Sequence, residues 1–377
     1  KMDLTTKKIT PLTKSIPWDV GGYDLSPDGT KLLFTTNEAG FTKLYMLNVN
    51  ANLYEPVTEI PNGSLGGFKW HENGTEFSYV YSNATTSSDI YTFNLSTRKS
   101  ERWTESELGG LVSSQLSDAE LIKWKSFDQK EISGFYYKAH KKFTGKRPVI
   151  IVIHGGPEGQ SFPGFQGRNN YYLNELGVAL IYPNVRGSTG YGKTFVKLDN
   201  GYLRENSVKD IGALLDWIAQ QPELDASRVM TMGGSYGGYM ALACAVFYSD
   251  RLKCSNDIVG ISNFNTFLKN TESYRRDLRR VEYGDEQDPK MAAFLEKISP
   301  LNNVNKIKIP MFIVQGGNDP RVPRTEASQM AEALKKNNIP SELHIYSKGE
   351  HGYLKVPAFD EWFGRCLHWM ATAGFVK

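Results

Sequence analysis

The sequence predicts a chain of two regions, in which β-propeller blades precede an α/β region with a doubly wound, mostly parallel sheet. Residues 1–118 contain two similar segments at a spacing typical of blades. From residue 119 to residue 377, uninterrupted Val, Ile and Leu runs alternate with helical patterns. Such runs are typical of strands buried on both faces, and their alternation with helices favours a parallel sheet. We therefore predict an all-β region over 1–118 and an α/β region over 119–377.

The first region is built on a repeat with a period of about 45 residues. Residues 23–49 read YDLSPDGTKLLFTTNEAGFTKLYMLNV, and residues 68–95 read FKWHENGTEFSYVYSNATTSSDIYTFNL. In each, a polar turn with glycine leads into a β-rich run, and a polar loop precedes an alternating strand. We predict about two blades plus the end of another, whereas a ring needs roughly 4–8 blades. We therefore expect a further N-terminal propeller segment of the same protein to be missing; the alternative is a small open β-sandwich.

The second region opens with a hairpin and continues with alternating strands and helices. LIKWKSF and EISGFYYK predict the hairpin strands around Asp128 and Gln129. Further strands are predicted in PVIIVIHGG, VALIYPNV, RVMTMGGS, DIVGIS, IPMFIVQGG and SELHIYS. Helices are predicted through SVKDIGALLDWIAQQ, GGYMALACAVFY and RTEASQMAEALKKNN, with a terminal amphipathic helix from about Phe359. In such a sheet, functional side chains collect at the carboxyl ends of the strands.

Charge and composition argue against several classes of partner. The net charge is +3, divided into −4 over residues 1–118 and +7 over the remainder. So small a total does not favour a nucleic-acid binder. No apolar run approaches the roughly 18 residues of a membrane span, so no membrane partner is expected. Neither metal-ligand spacing nor a nucleotide-binding loop occurs, so no metal and no cofactor are predicted.

Two features of the sequence bear on the compartment. The cysteines are too few and too scattered for a disulfide framework, which favours a reducing, cytoplasmic location: Cys244, Cys254 and Cys366. Four sequons of the type Asn-x-Ser/Thr stand against it: Asn62, Asn73, Asn83 and Asn94. We favour their interpretation as ordinary turn residues. No signal peptide is visible, but Lys1 precedes Met2 and the native start is expected elsewhere, which leaves a periplasmic or secreted location as the alternative.

The stretch MGGSYGGYM, residues 232–240, carries the strongest functional signal. Ser235 stands between the predicted strand RVMTM and a predicted helix, and Gly233-x-Ser235-x-Gly237 fits the nucleophile-elbow pattern. The glycines let helix and strand pack closely, and the helix N-terminus directs N–H groups to the place where negative charge develops. An ordinary glycine turn is the alternative. In this strand–turn–helix context we predict that Ser235 is a nucleophile.

A nucleophilic serine needs a base, and the base needs an orienting carboxylate. In this architecture the expected chain order is Ser, Asp, His. Asp319 follows the strand IPMFIVQGG, and His351 follows the strand SELHIYS, with one helix between them. The other histidines are less suitably placed: His71, His140, His154, His344 and His368. We predict that His351 is the general base and that Asp319 orients it.

The segment IHGGP, residues 153–157, follows another predicted strand. Gly155 and Gly156 offer main-chain N–H groups without obstructing side chains. With the N–H of Tyr236 they are predicted to form an oxyanion hole for a tetrahedral intermediate. His154, in the same segment, is interpreted as structural.

Two further segments contain candidates for substrate binding. In NVRGSTGYG, Arg186 and Tyr191 follow a strand end and are candidates to border a cleft; pairing of Arg186 with a backbone carbonyl is the alternative. The run YRRDLRRVEYGD, residues 274–285, is rich in arginine. Its four arginines are candidates to grip a substrate carboxylate or an acidic propeller face, but such runs are more often solvated helix faces: Arg275, Arg276, Arg279 and Arg280.

These motifs together resemble the catalytic region of the prolyl oligopeptidase family, nearest its acylaminoacyl-peptidase-like branch. The resemblance rests on HGGP, NVRGSTGYG, GGSYGGYM, EYGD, GGNDPRVP and HGY, and it extends from roughly residue 119 to the end. It implies an α/β-hydrolase fold behind a β-propeller. Carried over by position, Ser235, Asp319 and His351 match the catalytic triad, while Tyr236 and the HGGP glycines match the oxyanion donors.

The resemblance implies a serine peptidase that hydrolyses short peptides or acylated peptides through an acyl-enzyme. Exopeptidase and acylaminoacyl-peptidase activities are both expected within this family. A carboxylesterase on the same triad is the alternative, and a propeller–hydrolase binding module without activity is a more remote one. The oligomeric state stays open, and a homo-oligomer is one outcome.

Overall fold

The computed structural model describes residues 1–352 and 356–376. The chain divides into two compact units. The first unit comprises Lys1–Ala119 and two short later segments, Phe162–Asn169 and Gly190–Lys193. The second comprises Glu120–Ser161, Asn170–Thr189 and the residues from Thr194 onward. The sequence pattern does not predict that segments from within the α/β region belong to the first unit.

The first unit contains two four-stranded antiparallel sheets, each with its strands in chain order. The first sheet consists of β1 (Asp19–Leu25), β2 (Lys31–Glu38), β3 (Phe41–Asn48) and β4 (Leu53–Pro56). The second sheet consists of β5 (Ser64–Trp70), β6 (Glu76–Asn83), β7 (Thr86–Asn94) and β8 (Lys99–Arg102). The two similar segments of the sequence thus form two sheets of the same topology.

Alternation of aromatic and polar residues explains how the second sheet packs. In β6, Phe77, Tyr79 and Tyr81 are all buried, because side chains two apart in a strand point to the same face. Phe93 of β7 lies across from them, with its ring centroid 5.4 Å from that of Phe77. This aromatic layer is the core of the sheet.

Three of the four sequons form local turns. The side-chain Oδ1 atoms of Asn73, Asn83 and Asn94 each accept the N–H of the residue two positions later at 2.9 Å. Such side-chain to backbone bonds are typical of asparagine in turns. The geometry supports the interpretation of these sequons as turn residues.

The second unit is built on one eight-stranded sheet with the order β16-β15-β14-β13-β11-β12-β10-β9. Its first four strands along the chain are β9 (Ala119–Lys125), β10 (Glu131–Tyr137), β11 (Arg147–Ile153) and β12 (Ala179–Asn184). The other four are β13 (Leu224–Gly234), β14 (Cys254–Ile258), β15 (Met311–Gly316) and β16 (Ser341–Tyr346). The six strands from β16 to β12 in this sheet order run parallel to their neighbours, whereas β10 is antiparallel to β12. The predicted mostly parallel sheet is confirmed.

Helices connect the strands of this sheet. The described α-helices are α1 (Asn170–Asn174), α2 (Lys193–Val196), α3 (Glu205–Gln220), α4 (Tyr236–Phe247), α5 (Phe264–Asn270), α6 (Ser273–Tyr283), α7 (Pro289–Ile298), α8 (Arg324–Lys336) and α9 (Val356–Thr372). Nearly all of α4 is buried, because its sequence YGGYMALACAVF has no charged side chain. In contrast, α3 buries only the face that bears Val208, Ile211 and Ile218. Among the described residues, we find no helix with the length and apolar content that crossing a bilayer requires.

Candidate active site

Ser235 lies in a sharp turn between the end of β13 at Gly234 and the start of α4 at Tyr236. Its backbone has φ 61° and ψ −118°, a combination that is costly for a residue with a side chain. The turn is held by the Ser235 N–H, which donates to Ile258 O of the adjacent strand β14 at 2.8 Å. A Cβ on Gly233 would collide with the backbone of Gly237, so the close packing requires glycine there. The predicted strand–turn–helix geometry around Ser235 is therefore present.

The Ser235 side chain is not part of the structural hydrogen bonding of this turn. Its hydroxyl makes no capping bond to α4 and has no hydrogen-bond partner within residues 1–352 and 356–376. A hydroxyl that has no structural partner can meet a base and a substrate.

Asp319 and His351 form a hydrogen-bonded pair. His351 Nδ1 donates to Asp319 Oδ2 at 2.8 Å. The other carboxylate oxygen, Oδ1, accepts the N–H groups of Arg321 at 2.8 Å and Val322 at 3.0 Å. Gln315 Nε2 lies 3.4 Å from Asp319 Oδ2 and also donates to the Val322 carbonyl at 3.0 Å. Both oxygens of Asp319 therefore have hydrogen-bond donors, and the Nδ1–H bond leaves Nε2 of His351 to act as a base.

The sheet order brings the three predicted triad residues to one edge. Ser235 follows β13, Asp319 follows β15 and His351 follows β16, and all three strands run parallel. Parallel strands have their carboxyl ends at the same edge, so these residues gather there. The aromatic residue of the predicted HGY motif, Tyr353, lies outside the described residues.

The predicted oxyanion donors lie beside the turn that carries the serine. A Cβ placed on Gly155 would be 3.4 Å from Ser235 Cβ, so this backbone approaches the serine closely. Tyr236 is the first residue of α4, where an N–H has no carbonyl partner within the helix. Its side chain is anchored away from the turn, because its hydroxyl bonds Ser207 Oγ at 2.7 Å and Asp199 Oδ2 at 3.0 Å. Tyr236 can therefore serve an oxyanion only through its main-chain N–H.

A buried ion network under Tyr236 is absent from the sequence predictions. Arg204 is fully buried and bonds Asp199 Oδ2 at 2.6 Å and Glu282 Oε1 at 2.5 Å. Its guanidinium carbon lies 5.2 Å from the ring centroid of Tyr236 and 4.8 Å from that of Tyr283. The network anchors the first residue of α4, because Asp199 bonds both Arg204 and the Tyr236 hydroxyl. Two members of this network, Glu282 and Tyr283, belong to the EYGD motif.

Arg186 is not placed to bind substrate, which corrects its prediction as a cleft residue. It is only 2% exposed, and all its guanidinium nitrogens donate to Asp210 and Asp128 at 2.8–3.1 Å. Its partners are carboxylates and not the backbone carbonyl considered as the alternative. Tyr191, the other candidate, belongs to the first unit, where its ring lies edge-on to Trp18 with centroids 6.4 Å apart. A substrate contact of Tyr191 stays a prediction.

The arginine-rich run forms α6, and most of its arginines bond to the protein itself. Arg276 donates to the carbonyls of Lys269 and Thr271 at 2.9 and 3.1 Å. Arg280 bonds Glu286 at 2.5 Å, and Arg279 is buried. The interpretation of this run as a solvated helix face is wrong for Arg279.

The other segment beside the serine contains His154, whose two ring nitrogens are both bonded. Nδ1 lies 2.8 Å from Gly155 O, and Nε2 lies 2.8 Å from Ser188 Oγ. Burial lowers the pKa of His154, which favours its neutral ring. These contacts support the structural interpretation of this histidine. Among the described residues, no group of three or more His, Cys, Asp or Glu is arranged to hold a metal ion.

One protein family matches the chain over more than half of its length. Residues 163–374 match the prolyl oligopeptidase family. Dipeptidyl aminopeptidase BIII of Pseudoxanthomonas mexicana is 35% identical over 211 residues, which are 55% of this chain and 30% of that protein. The human acylamino-acid-releasing enzyme is 27% identical over 229 residues, which are 60% of this chain and 31% of that enzyme. The chain thus spans about a third of the length of these curated relatives.

Solved structures match the chain over most of its length. Acylaminoacyl peptidase of Pyrococcus horikoshii matches with a TM-score of 0.75 at 24% identity, over 92% of this chain and 54% of that chain. Dipeptidyl peptidase 4 of Porphyromonas gingivalis matches with a TM-score of 0.80 at 18% identity, over 98% of this chain and 52% of that chain. At these identities the likeness shows the fold, and it confirms the predicted combination of propeller blades with an α/β-hydrolase sheet.

Proposed function

The chain belongs to the prolyl oligopeptidase family, and we propose that it is a serine peptidase that hydrolyses short peptides through an acyl-enzyme on Ser235. The observation that carries the proposal is the gathering of Ser235, Asp319 and His351 at one edge of the sheet, with the last two hydrogen-bonded at 2.8 Å. The strained turn at Ser235 and its unbonded hydroxyl support the same role.

Acylation begins when the Ser235 hydroxyl oxygen attacks the carbonyl carbon of the scissile bond. His351 accepts the hydroxyl proton on Nε2, because Nδ1–H donates to Asp319. The carbonyl oxygen, on which negative charge develops, accepts hydrogen bonds from the N–H of Tyr236 and from an N–H of Gly155 or Gly156. His351 then transfers its proton to the leaving amine, and the C–N bond breaks.

Deacylation repeats these steps with water as the nucleophile. His351 removes a proton from the water while its oxygen attacks the acyl carbon, and the same N–H groups bind the new oxyanion. The proton returns to Ser235 as the ester bond breaks. Throughout both steps, Asp319 holds the imidazole in one orientation through the Nδ1–H bond.

The proposed substrates are short peptides whose amino end is free or acylated. Both kinds of relative match the chain, one named a dipeptidyl aminopeptidase and the other an acylamino-acid-releasing enzyme. The test compares kcat/KM for one aminoacyl anilide with its amino group free and then acetylated, with a simple aryl ester as reference. A preference for the acetylated anilide favours the acylaminoacyl type, and a preference for the free amine favours the aminopeptidase type. If only the ester is hydrolysed, the proposed activity is that of an esterase and not of a peptidase.

Replacement of the nucleophile tests the mechanism. We expect Ser235→Ala to lower kcat by several orders of magnitude, roughly 10⁶-fold as in other serine peptidases, and to abolish labelling by a fluorophosphonate probe. Ser227→Ala is the matched control, because Ser227 is an exposed residue of the same strand β13, far from its carboxyl end. A Ser235→Ala variant with the wild-type rate would exclude the proposed function.

A further inference from the structure

The turn that presents Gly155 and Gly156 is held by two hydrogen bonds to consecutive carbonyl groups. Gly155 O is bonded by the ring of His154 at 2.8 Å, from within the same turn. Gly156 O accepts from Arg279 Nη1 at 3.1 Å, and Arg279 lies 123 residues later on α6. The second bond ties this turn to α6, while His154 Nε2, 2.8 Å from Ser188 Oγ, connects the turn to another segment of the unit.

Arg279 holds the turn at a second point as well. The same Nη1 atom lies 3.3 Å from Glu158 Oε2, so one guanidinium bridges the backbone of Gly156 and the side chain two residues later. Arg279 is only 9% exposed, so this contact is largely shielded from water. A charged donor to a carbonyl in such surroundings forms a stronger bond than a neutral one.

The element that carries Arg279 is itself anchored. Glu282, three residues later on α6, bonds the fully buried Arg204. Arg204 in turn bonds Asp199, which accepts the Tyr236 hydroxyl. Arg279 and the start of α4 are thus connected to the same buried network.

A turn rich in glycine needs such an anchor. Gly156 has φ 130°, and glycine residues lose more conformational freedom on ordering than any others. Oxyanion donors act only when their N–H groups point at the developing charge to within a few tenths of an ångström. A turn that moves by about 1 Å loses about 10²-fold in rate.

We propose that Arg279 is a positioning residue that fixes the oxyanion-binding turn of residues 154–158 through Gly156 O. This inference rests on the proposed peptidase function. Because the turn contacts the transition state more than the ground state, loss of Arg279 lowers kcat by about 10- to 100-fold and leaves KM nearly unchanged.

The experiment compares Arg279→Ala with Arg276→Ala in the whole chain. Arg276 is the matched control, because it lies one turn earlier on α6 and also donates to two backbone carbonyls, but those belong to Lys269 and Thr271. We measure kcat and KM for the best anilide and the inhibition constant of a matching peptide boronate, whose tetrahedral adduct with serine mimics the transition state. Melting temperatures of both variants report any loss of stability.

Arg279→Ala is expected to lower kcat and weaken boronate inhibition by the same factor, while Arg276→Ala changes neither. Added guanidinium chloride is expected to restore part of the Arg279→Ala rate, because the site is left open for a guanidinium ion. Glu158→Gln is expected to stay close to the wild type, since the bond to Gly156 O is retained. Arg279→Lys, which keeps the charge but not the planar donor geometry, is expected to fall between the wild type and Arg279→Ala.

Three results would overturn the inference. The first is an Arg279→Ala variant with the wild-type kcat and boronate inhibition. The second is an equal loss in Arg279→Ala and Arg276→Ala that follows their melting temperatures, which would make Arg279 merely structural. The third is a wild-type chain that neither hydrolyses the substrates nor reacts with the fluorophosphonate probe, which removes the proposed function itself. An active wild type with an inactive Ser235→Ala variant shows that the proposed function holds, so that only Arg279 is being judged.

Discussion

Two buried carboxyl groups at the carboxyl ends of adjacent strands have opposite surroundings. Asp319 follows β15 and is 8% exposed, whereas Asp257 lies in β14 and is 1% exposed. Asp319 has hydrogen-bond donors on both oxygens, from His351 and from backbone N–H groups. The Oδ1 of Asp257 has no hydrogen-bond partner in the described part of the chain. Two buried carboxyl groups on neighbouring strands thus differ in how fully hydrogen-bond donors satisfy their oxygens.

The surroundings of Asp257 raise the pKa of its carboxyl group. Burial raises the pKa of Asp257 to about 7, while a bond from the Gly260 N–H lowers it and the negative charge of Glu326 raises it. Asp257 lies directly beside the serine turn, since it pairs with Gly233 in the sheet register. The same edge of the sheet therefore holds one carboxyl group supplied with donors and one that burial drives toward its neutral form.

Between the two carboxyl groups, the larger effect is expected from Asp319→Asn. The change places an amide opposite the His351 N–H, so the imidazole adopts the wrong tautomer and cannot act as a base. We expect kcat to fall by about 10⁴-fold, as in other enzymes with this triad. Steady-state kinetics with the best anilide measure it. The melting temperature should change little, because Asn is isosteric and its Oδ1 can still accept the N–H groups of Arg321 and Val322. An Asp319→Asn rate within tenfold of the wild type would remove the distinction between the two carboxyl groups.

The next effect concerns stability and is expected from Asp257→Asn. With a folded-state pKa of about 7 and an ordinary value of 3.8, the unfolded chain releases this proton first as pH rises. In the wild type, protonated Asp257 therefore makes its full contribution to the free energy of unfolding below about pH 4. That contribution is lost as the pH rises to about 7, and the loss is roughly 4 kcal/mol in all. Asp257→Asn should lack this loss.

Urea unfolding of the wild type and Asp257→Asn at several pH values between 4.5 and 8 measures the difference. The free energy of unfolding of Asp257→Asn, relative to that of the wild type, should increase as pH rises. Equal pH dependence in both proteins would mean that Asp257 is ionised in the folded state despite its unpartnered oxygen. The rate of Asp257→Asn should stay near that of the wild type, because its triad groups are unchanged.

The smallest effect is expected from Gln315→Met. Gln315 Nε2 donates to the carbonyls of Val322 and Gly316 at 3.0 and 3.2 Å, and its contact with Asp319 is longer, at 3.4 Å. Loss of this donor leaves buried carbonyls unsatisfied, so we expect the free energy of unfolding to fall by about 1–3 kcal/mol. Because His351 and two N–H groups still bond Asp319, kcat should fall by less than tenfold. A rate loss as large as that of Asp319→Asn would make Gln315 the main support of that carboxylate.

The residues that could be predicted are those with local signals. Ser235 and Asp319 each directly follow an apolar strand and lie among glycine or proline residues that mark a sharp turn. Asp257 has no such signal, because DIVGIS is interpreted as a strand and the sequence does not show what surrounds its carboxyl group. The sequence predicts Arg186 as a candidate to border a cleft and favours a solvated helix face for the run that contains Arg279. Only their tertiary partners, Asp210 and Gly156, explain why both are buried.

Four features were predictable from the sequence alone: the fold class, the order of strands and helices, the repeat of the first sheets and the turn at Ser235. Periodicity and turn chemistry are short-range properties, so a single chain segment suffices to reveal them. The tertiary structure alone decided which strands are neighbours, that residues 162–169 and 190–193 belong to the first unit, and which buried charges find partners. Those outcomes depend on groups far apart in the chain, such as Arg279 and Gly156. Their hydrogen bond, which compensates for burying both groups, can form only after the sheet has assembled.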